Sequence, residues 1–260
     1  MIAEESTEIQ LLANLVPDGV KPGTMLLVEF DPDSEWLSVA TTITSQFFRK
    51  NRHVGYLAMV RPVEDVERWL TALGVDFAPA VQSGHFVIED WYSATLSGGQ
   101  LGSIDQKSPI FERTSSGLRA RSLKVNDLSV EWLKSSKAGP QIYDIIDNWP
   151  AGSLVIAESF SGMLRFNEEK PFVEWIEARV NPGERKRRGI TIQGLVRGLH
   201  SDWLYKRMES ASDGIIDIRV MERGEESKNL LRFRTLRGQP HDSRWHELQI
   251  KSNGEVALSA

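Results

Sequence analysis

Between Met25 and Thr41 the chain reads MLLVEFDPDSEWLSVAT, and this is where residue types and spacing come nearest to a known chemistry. Met25 to Phe30 is a short apolar run, Asp31 to Ser34 is turn-forming, and a helical pattern starts at Trp36. Strand, tight turn and helix in that order form the setting in which backbone N–H groups and a helix N-terminus cradle phosphate. The loop chemistry wanted is G-x-x-x-x-G-K-S/T, with glycines for close backbone approach, lysine for the β/γ charge and a hydroxyl for magnesium. Here Phe30 and Glu35 fill the glycine positions, Trp36 the lysine position and Leu37 the hydroxyl position. Taken alone these residues describe an ordinary βα turn, with Ser34 as N-cap and Glu35 well placed against the helix dipole.

Other reactive side chains are scattered. His241 and His246, beside Asp242 and Glu247, permit a metal site, but they read better as part of a structural tail in which Trp245 is a buried aromatic. Arg185 to Arg188, RKRR, reads as a solvated turn after a helix or as a contact for phosphate backbones. No Ser/His/Asp arrangement sits in a recognisable motif. Trp91, Trp132, Trp149, Trp175 and Trp203 fit the apolar faces of helices or strands and are expected in the core.

The elements that would position these residues alternate. A short helix is expected over Ser6–Leu15, ended by Pro17-Asp18-Gly19. Then come a strand at Met25–Phe30, a helix at about Glu35–Lys50, a strand at His53–Val60, a helix at Val63–Leu73 closed by Gly74, and a strand at His85–Trp91. From about 93 to 123 glycine, serine and proline make a long loop or arm with room for a small hairpin. Helices follow from Asn126 or Asp127 to Lys134 and at Ile142–Trp149. A strand at Ser153–Ala157, a helix at Pro171–Arg179, a strand at Gly189–Val196 and a helix at Ser201–Ser210 complete the alternation. The remainder, about 213–260, reads as consecutive strands: Asp213–Met221, Asn229–Leu236, Trp245–Lys251 and Val256–Leu258. This order predicts a single α/β domain with a doubly wound, mainly parallel sheet and C-terminal antiparallel strands.

Composition sets the class. The chain has 260 residues, 40% apolar and 26% charged, with a net charge of −5 and no cysteine. It is large enough for a substantial core. Its charge does not suggest a polyanionic partner, and disulfides and cysteine-based metal sites are excluded. No run approaches the ~18 apolar residues of a membrane span, and the acidic start MIAEESTEIQ is not a signal peptide. A cytoplasmic protein is the expectation.

Element order and several motifs together resemble the KaiC-like branch of the RecA-superfamily ATPases, especially the archaeal single-domain type. Leu15 to Glu29, LVPDGVKPGTMLLVE, is similar to the family's approach to its phosphate loop, and Gly55 to Pro62, GYLAMVRP, stands in the place of "VLYVSLEEP". Ser153 to Ser161, SLVIAESFS, resembles the Walker B strand "RVVIDSLS". Arg234 to His246, RTLRGQPHDSRWH, is similar to "RKMRGSPHDTRWH" and is the most specific match.

The resemblance implies a degenerate nucleotide site over Asp31, Pro32, Asp33, Ser34, Glu35, Trp36 and Leu37. The family's catalytic glutamates fall at Val60 and Arg61, Glu158 replaces the Walker B aspartate, and the subunit-bridging Lys-x-Arg falls at Thr235 and Arg237. Arg197 to His200 takes the place where RecA relatives carry a DNA-facing loop. Losses in phosphate binding, water activation and charge stabilisation together imply a pseudo-ATPase with no cofactor and no catalytic residues. It would act as a regulatory or scaffolding subunit on itself or on an active KaiC-like relative. Two alternatives remain at this stage: a weak ATP/Mg binder or ATPase using Glu158, and a recombinase-paralogue-like accessory protein that binds nucleic acid. No metal and no membrane partner is expected.

Overall fold

The computed structural model describes residues 6–92, the strands at 112–113 and 119–122, and residues 148–165, 167–223 and 226–259. The expected helices at 126–134 and 142–149, together with Trp132, lie outside or largely outside these residues, as does most of the 93–123 loop.

Strand β1 (Met25–Phe30) leads through the 31–35 turn into α1 (Trp36–Arg49), followed by β2 (Val54–Ala58), α2 (Val63–Ala72), α3 (Ala78–Gln82) and β3 (Phe86–Asp90). Two short strands, β4 (Glu112–Arg113) and β5 (Arg119–Ser122), pair antiparallel as a small hairpin within the expected arm. After β6 (Leu154–Ala157) come α4 (Ser161–Leu164) and α5 (Glu169–Trp175). The latter runs through a π-helical turn (Ile176–Val180) into α6 (Asn181–Arg187). Strand β7 (Ile190–Val196), α7 (Asp202–Ala211), β8 (Gly214–Arg223), β9 (Glu226–Leu236), β10 (His246–Ile250) and β11 (Val256–Leu258) close the chain.

The strand order is β11-β10-β9-β8-β1-β7-β6-β2-β3-β5-β4. From β8 to β5 every neighbouring pair is parallel, and β9, β10 and β11 add antiparallel. This is the expected doubly wound sheet with C-terminal antiparallel strands. One boundary shifts: β8 pairs parallel with β1 from Leu26↔Gly214 to Phe30↔Ile218, so the antiparallel extension starts at β9.

Both faces are covered, which is why β1 is buried at every position and reads as a continuous apolar run. Alternation along β1 sends Leu26, Val28 and Phe30 into the core with Trp36, Ile43 and Val66. It sends Met25 and Leu27 into a second core with Phe172, Trp175, Leu204 and Met208. Helix α1 buries Thr41, Thr44 and Ser45 by returning their hydroxyls to Leu37, Ala40 and Thr42 carbonyls at 2.8–2.9 Å.

Two expectations need correction. The helix at Ser6–Leu15 contracts to a 3-10 turn, Gln10–Leu12. The N–H and C=O of Thr7 are bonded to Val20, each at 2.8 Å, so that residue cannot begin a helix. Among the tryptophans, Trp91 and Trp175 are buried, but Trp203 is 43% exposed and Trp245 is 37% exposed, the latter under the Arg232 guanidinium at 4.4 Å. For Trp245 that cation contact compensates part of the lost burial.

Candidate functional site

The loops after β1, β2, β6 and β7 converge at the C-terminal edge of the parallel strands, where open α/β sheets place their ligands. The 31–35 turn is built without glycine, and none of its residues has a positive φ. It therefore lacks the alternating-handed backbone of an anion nest.

Asp31 is tied down on several sides. Its carbonyl accepts from Ser34 N–H at 3.0 Å and Ser34 Oγ at 2.6 Å. Its carboxylate accepts from Val220 N–H at 3.0 Å and pairs with Arg197 at 3.2 Å. Ser34 is consequently not the N-cap of α1, because its hydroxyl donates backwards; Glu35 occupies the cap position without a side-chain cap bond. The Glu35 N–H donates to Asn229 Oδ1 of β9 at 2.9 Å, and Glu35 Oε2 accepts from Ser38 Oγ at 2.7 Å. Pro32 and Asp33 face solvent, and Leu37 is half-buried against the core.

Trp36, at the position of the expected lysine, points inward and is 1% exposed. Its ring lies 5.9 Å from Phe30, and its Nε1–H donates to the Glu158 carbonyl at 2.6 Å. Gly194 of β7 makes the space. A Cβ there would fall 2.1 Å from that carbonyl and 2.7 Å from Nε1.

Glu158 follows β6 and is fully buried. Its Oε1 accepts from Tyr56 Oη and Arg61 Nε, both at 2.8 Å. Its Oε2 accepts the N–H groups of Met59 at 2.8 Å and Val60 at 2.9 Å. Arg61 is 6% exposed and also donates through Nη2 to Thr41 Oγ1 at 2.7 Å and Tyr56 Oη at 2.9 Å, while its guanidinium lies 4.0 Å over the Trp69 ring. Burial opposes the charge on Arg61, but the neighbouring Tyr56 and Glu158 outweigh it and hold the guanidinium pKa above its ordinary value. Burial also pushes the Tyr56 phenol far up, so it remains a neutral hydroxyl. Of the two positions carried over from the catalytic glutamates, Arg61 turns in to Glu158, whereas Val60 gives Glu158 only its N–H and leaves its side chain 43% exposed.

The bridging positions lie elsewhere. Arg237 donates to the Ser210 and Glu209 carbonyls at 2.9 and 3.2 Å, binding the C-terminal end of α7 within its own chain. Thr235 pairs with Ile215 in the β8–β9 ladder. Behind the turn, on the far face of β1, Glu29 meets Arg234 at 2.7 Å, and Asp217 meets Arg219, Arg232 and Arg234 at 2.7–2.9 Å. Burial raises the Glu29 carboxyl to about 7 against the pull of Arg234, with Glu209 adding to the rise; its Oε1 has no hydrogen-bond partner among the described residues. At His241 and His246 the carboxylate of Asp242 is held by Arg244 and lies 3.4 Å from His246. No group of three or more potential metal ligands occurs among the described residues. Within Arg185–Arg188, Arg187 pairs inward with the buried Glu184, and Arg185 pairs with Asp213.

Sequence reasoning did not find Tyr56, Thr41, Asn229 or Gly194. For these four no sequence signal was available; for the Arg61–Glu158 pair, 2.8 Å apart, one was, because the family resemblance expects a glutamate where Arg61 brings a cation and an aspartate where Glu158 brings a longer carboxylate. Ser161 and His200 also meet, Oγ to Nε2 at 2.8 Å. Ser161 is buried and accepts the Val196 N–H, and Glu169 bonds the N-cap Ser201, so the contact fastens β7 to α4 and α7.

The chain matches no protein-family model and no curated protein. Among solved structures it is similar to a KaiC-like protein from the hyperthermophilic archaeon Pyrococcus horikoshii OT3. That match has a TM-score of 0.67 and 15% sequence identity, and it covers 98% of this chain and 99% of the other. The chain thus shares the fold of that KaiC-like protein over 98% of its length. No helix among the described residues is long and apolar enough to cross a membrane.

Proposed function

We propose that this chain is a pseudo-ATPase: a KaiC-like, RecA-fold domain that neither binds nor hydrolyses ATP and acts as a regulatory or scaffolding subunit. The observation that carries this reading is the saturation of Glu158. A carboxylate offers about four lone-pair sites, and Tyr56, Arg61, Met59 and Val60 occupy them from within the chain. In an active relative a carboxylate at this place would help to hold the magnesium of the nucleotide. Here a guanidinium supplies the positive charge, and a divalent cation would have to enter beside it and displace it.

Three further features support the same reading. Trp36 locks the head of α1 to the Glu158 carbonyl, the turn has no nest for a polyphosphate, and Asn229 answers the Glu35 N–H at the start of α1. With the site chemistry replaced by internal contacts, surface contacts are what the domain retains for function. Val60 and Leu199, on loops at the same edge, are 43% and 60% exposed and suit a protein partner. That partner is a second copy of the chain or an active relative of the same fold.

Calorimetric titration with Mg-ATP tests the first half, and the expected result is no saturable heat and no turnover above background. A dissociation constant in the low micromolar range overturns it.

A further inference from the structure

Helices α1 and α2 and the β10–β11 hairpin surround a cavity of about 290 Å3. Helix α1 contributes Ser38 and Thr41, α2 contributes Trp69 and Ala72, the end of β10 contributes Ile250, and the turn after it Asn253. No charged side chain lines it among the described residues. Trp69 and Ile250, 36% and 51% exposed, are large apolar side chains left outside the core, and both stand at this one cavity. Two such residues, brought from distant parts of the chain to one concave surface, have the character of a ligand site.

The walls are set before any ligand arrives. The Arg61 guanidinium lies 4.0 Å over the Trp69 ring and is itself fixed by Glu158, Thr41 and Tyr56, so the indole is held in place. Ala72 is exposed on α2, and its short side chain leaves the space open.

The polar groups on these walls select what can enter. The Glu35 carboxylate only accepts, so Ser38 Oγ gives its proton to Oε2 at 2.7 Å and keeps acceptor capacity alone. Thr41 Oγ1 donates to the Leu37 carbonyl at 2.8 Å and accepts from Arg61 Nη2 at 2.7 Å. The α1 wall therefore asks for a donor. An anion would find no free countercharge: Arg61 pairs with Glu158, and Arg49, which bonds the Leu73 carbonyl, pairs with Glu255, as does Lys251.

An aromatic wall, an aliphatic one, an acceptor and no available charge match one class of ligand. We propose that this cavity binds a small uncharged aromatic molecule carrying one N–H or O–H donor, with its ring against Trp69 and its donor on Ser38 Oγ. The proposal does not depend on whether the 31–37 turn binds ATP.

The test is calorimetric titration of the full chain with indole, 1-methylindole and indole-3-acetate. Indole should bind saturably at one site per chain. 1-Methylindole, which has no donor, should bind about five-fold more weakly, and indole-3-acetate no more tightly than indole. Ala72→Phe brings a ring into the cavity from an exposed helix position, so it should fold as the parent does and abolish binding. Ile250→Ser should weaken binding several-fold by removing apolar contact. Trp203→Ser, which removes an exposed aromatic on α7, should bind indole as the parent does. Absence of saturable indole binding, binding unchanged in both Ala72→Phe and Ile250→Ser, or equal loss in Trp203→Ser overturns the site. Equal affinity for 1-methylindole, or tighter binding of indole-3-acetate, overturns the ligand class.

Discussion

Replacing Arg61 by methionine tests whether an internal cation has taken over at Glu158. Methionine keeps much of the aliphatic volume over Trp69 but removes the donors to Glu158, Tyr56 and Thr41. Glu158 keeps three donors, from Tyr56, Met59 and Val60, yet loses its countercharge while fully buried. Removing one partner of a buried ion pair costs about 3–5 kcal/mol. For a chain of this size that corresponds to a fall in melting temperature of roughly 6–20 °C, at about 2–4 °C per kcal/mol. Urea unfolding of Arg61→Met, Glu158→Gln and the double variant gives the coupling directly. The double variant should be destabilised by clearly less than the sum of the singles, with a coupling on the order of 1–3 kcal/mol. If Arg61→Met costs under about 1 kcal/mol, or the two effects simply add, the Arg61 charge is not needed at Glu158 and the saturated-site reasoning fails.

Trp36→Ala should cost about 3–5 kcal/mol, and Trp36→Phe, which loses chiefly the Nε1 bond, about 1 kcal/mol; a neutral Trp36→Ala in thermal unfolding would contradict the packing described. Trp36→Lys with Leu37→Thr should not restore Mg-ATP binding, because the turn still lacks glycines at 33 and 35 and Arg61 still holds Glu158; restored binding in calorimetry would count against this. Glu29, whose carboxyl is raised to about 7 in the fold from 4.5, retains its proton over a range where the unfolded chain has lost it. Its contribution therefore declines as pH rises from 4.5 to 7, by on the order of 2–3 kcal/mol. Relative to Glu29→Gln, the parent should gain stability as pH falls through that window, and parallel pH–stability curves would refute it. Light scattering at high concentration, alone and mixed with an active KaiC-like protein, should show association; monomer throughout would argue against a scaffolding role.

Much of the architecture was legible in the chain itself. The apolar runs at Met25–Phe30, Val54–Ala58 and Leu154–Ala157 have no alternation because both faces of a parallel sheet are covered. The helical spacing of Trp36, Val39, Ile43 and Phe47 fixes which side of α1 meets that sheet. Residue types at single positions were legible as well: Glu35, Trp36 and Leu37 are not the glycine, lysine and hydroxyl that the family resemblance expects there, and Val60 and Arg61 are not carboxylates. These are statements about residue type at a position along the chain, and sequence carries them completely.

What these residues contact was decided only by the fold. Trp36 meets Glu158 across 122 positions and Arg61 meets it across 97, while Asn229 reaches Glu35 across 194. No periodicity reports such distances. Whether a tryptophan at the head of a helix lies in solvent or against a carbonyl depends on Gly194, in a strand two places away in the sheet from the one before Arg61. The same holds for Arg237, which a motif assigns to a neighbouring subunit and the fold sends to the end of α7. Hydrophobic pattern acts over neighbouring residues and so is written locally. Charge compensation and space filling act between elements, and only the sheet order brings those elements together.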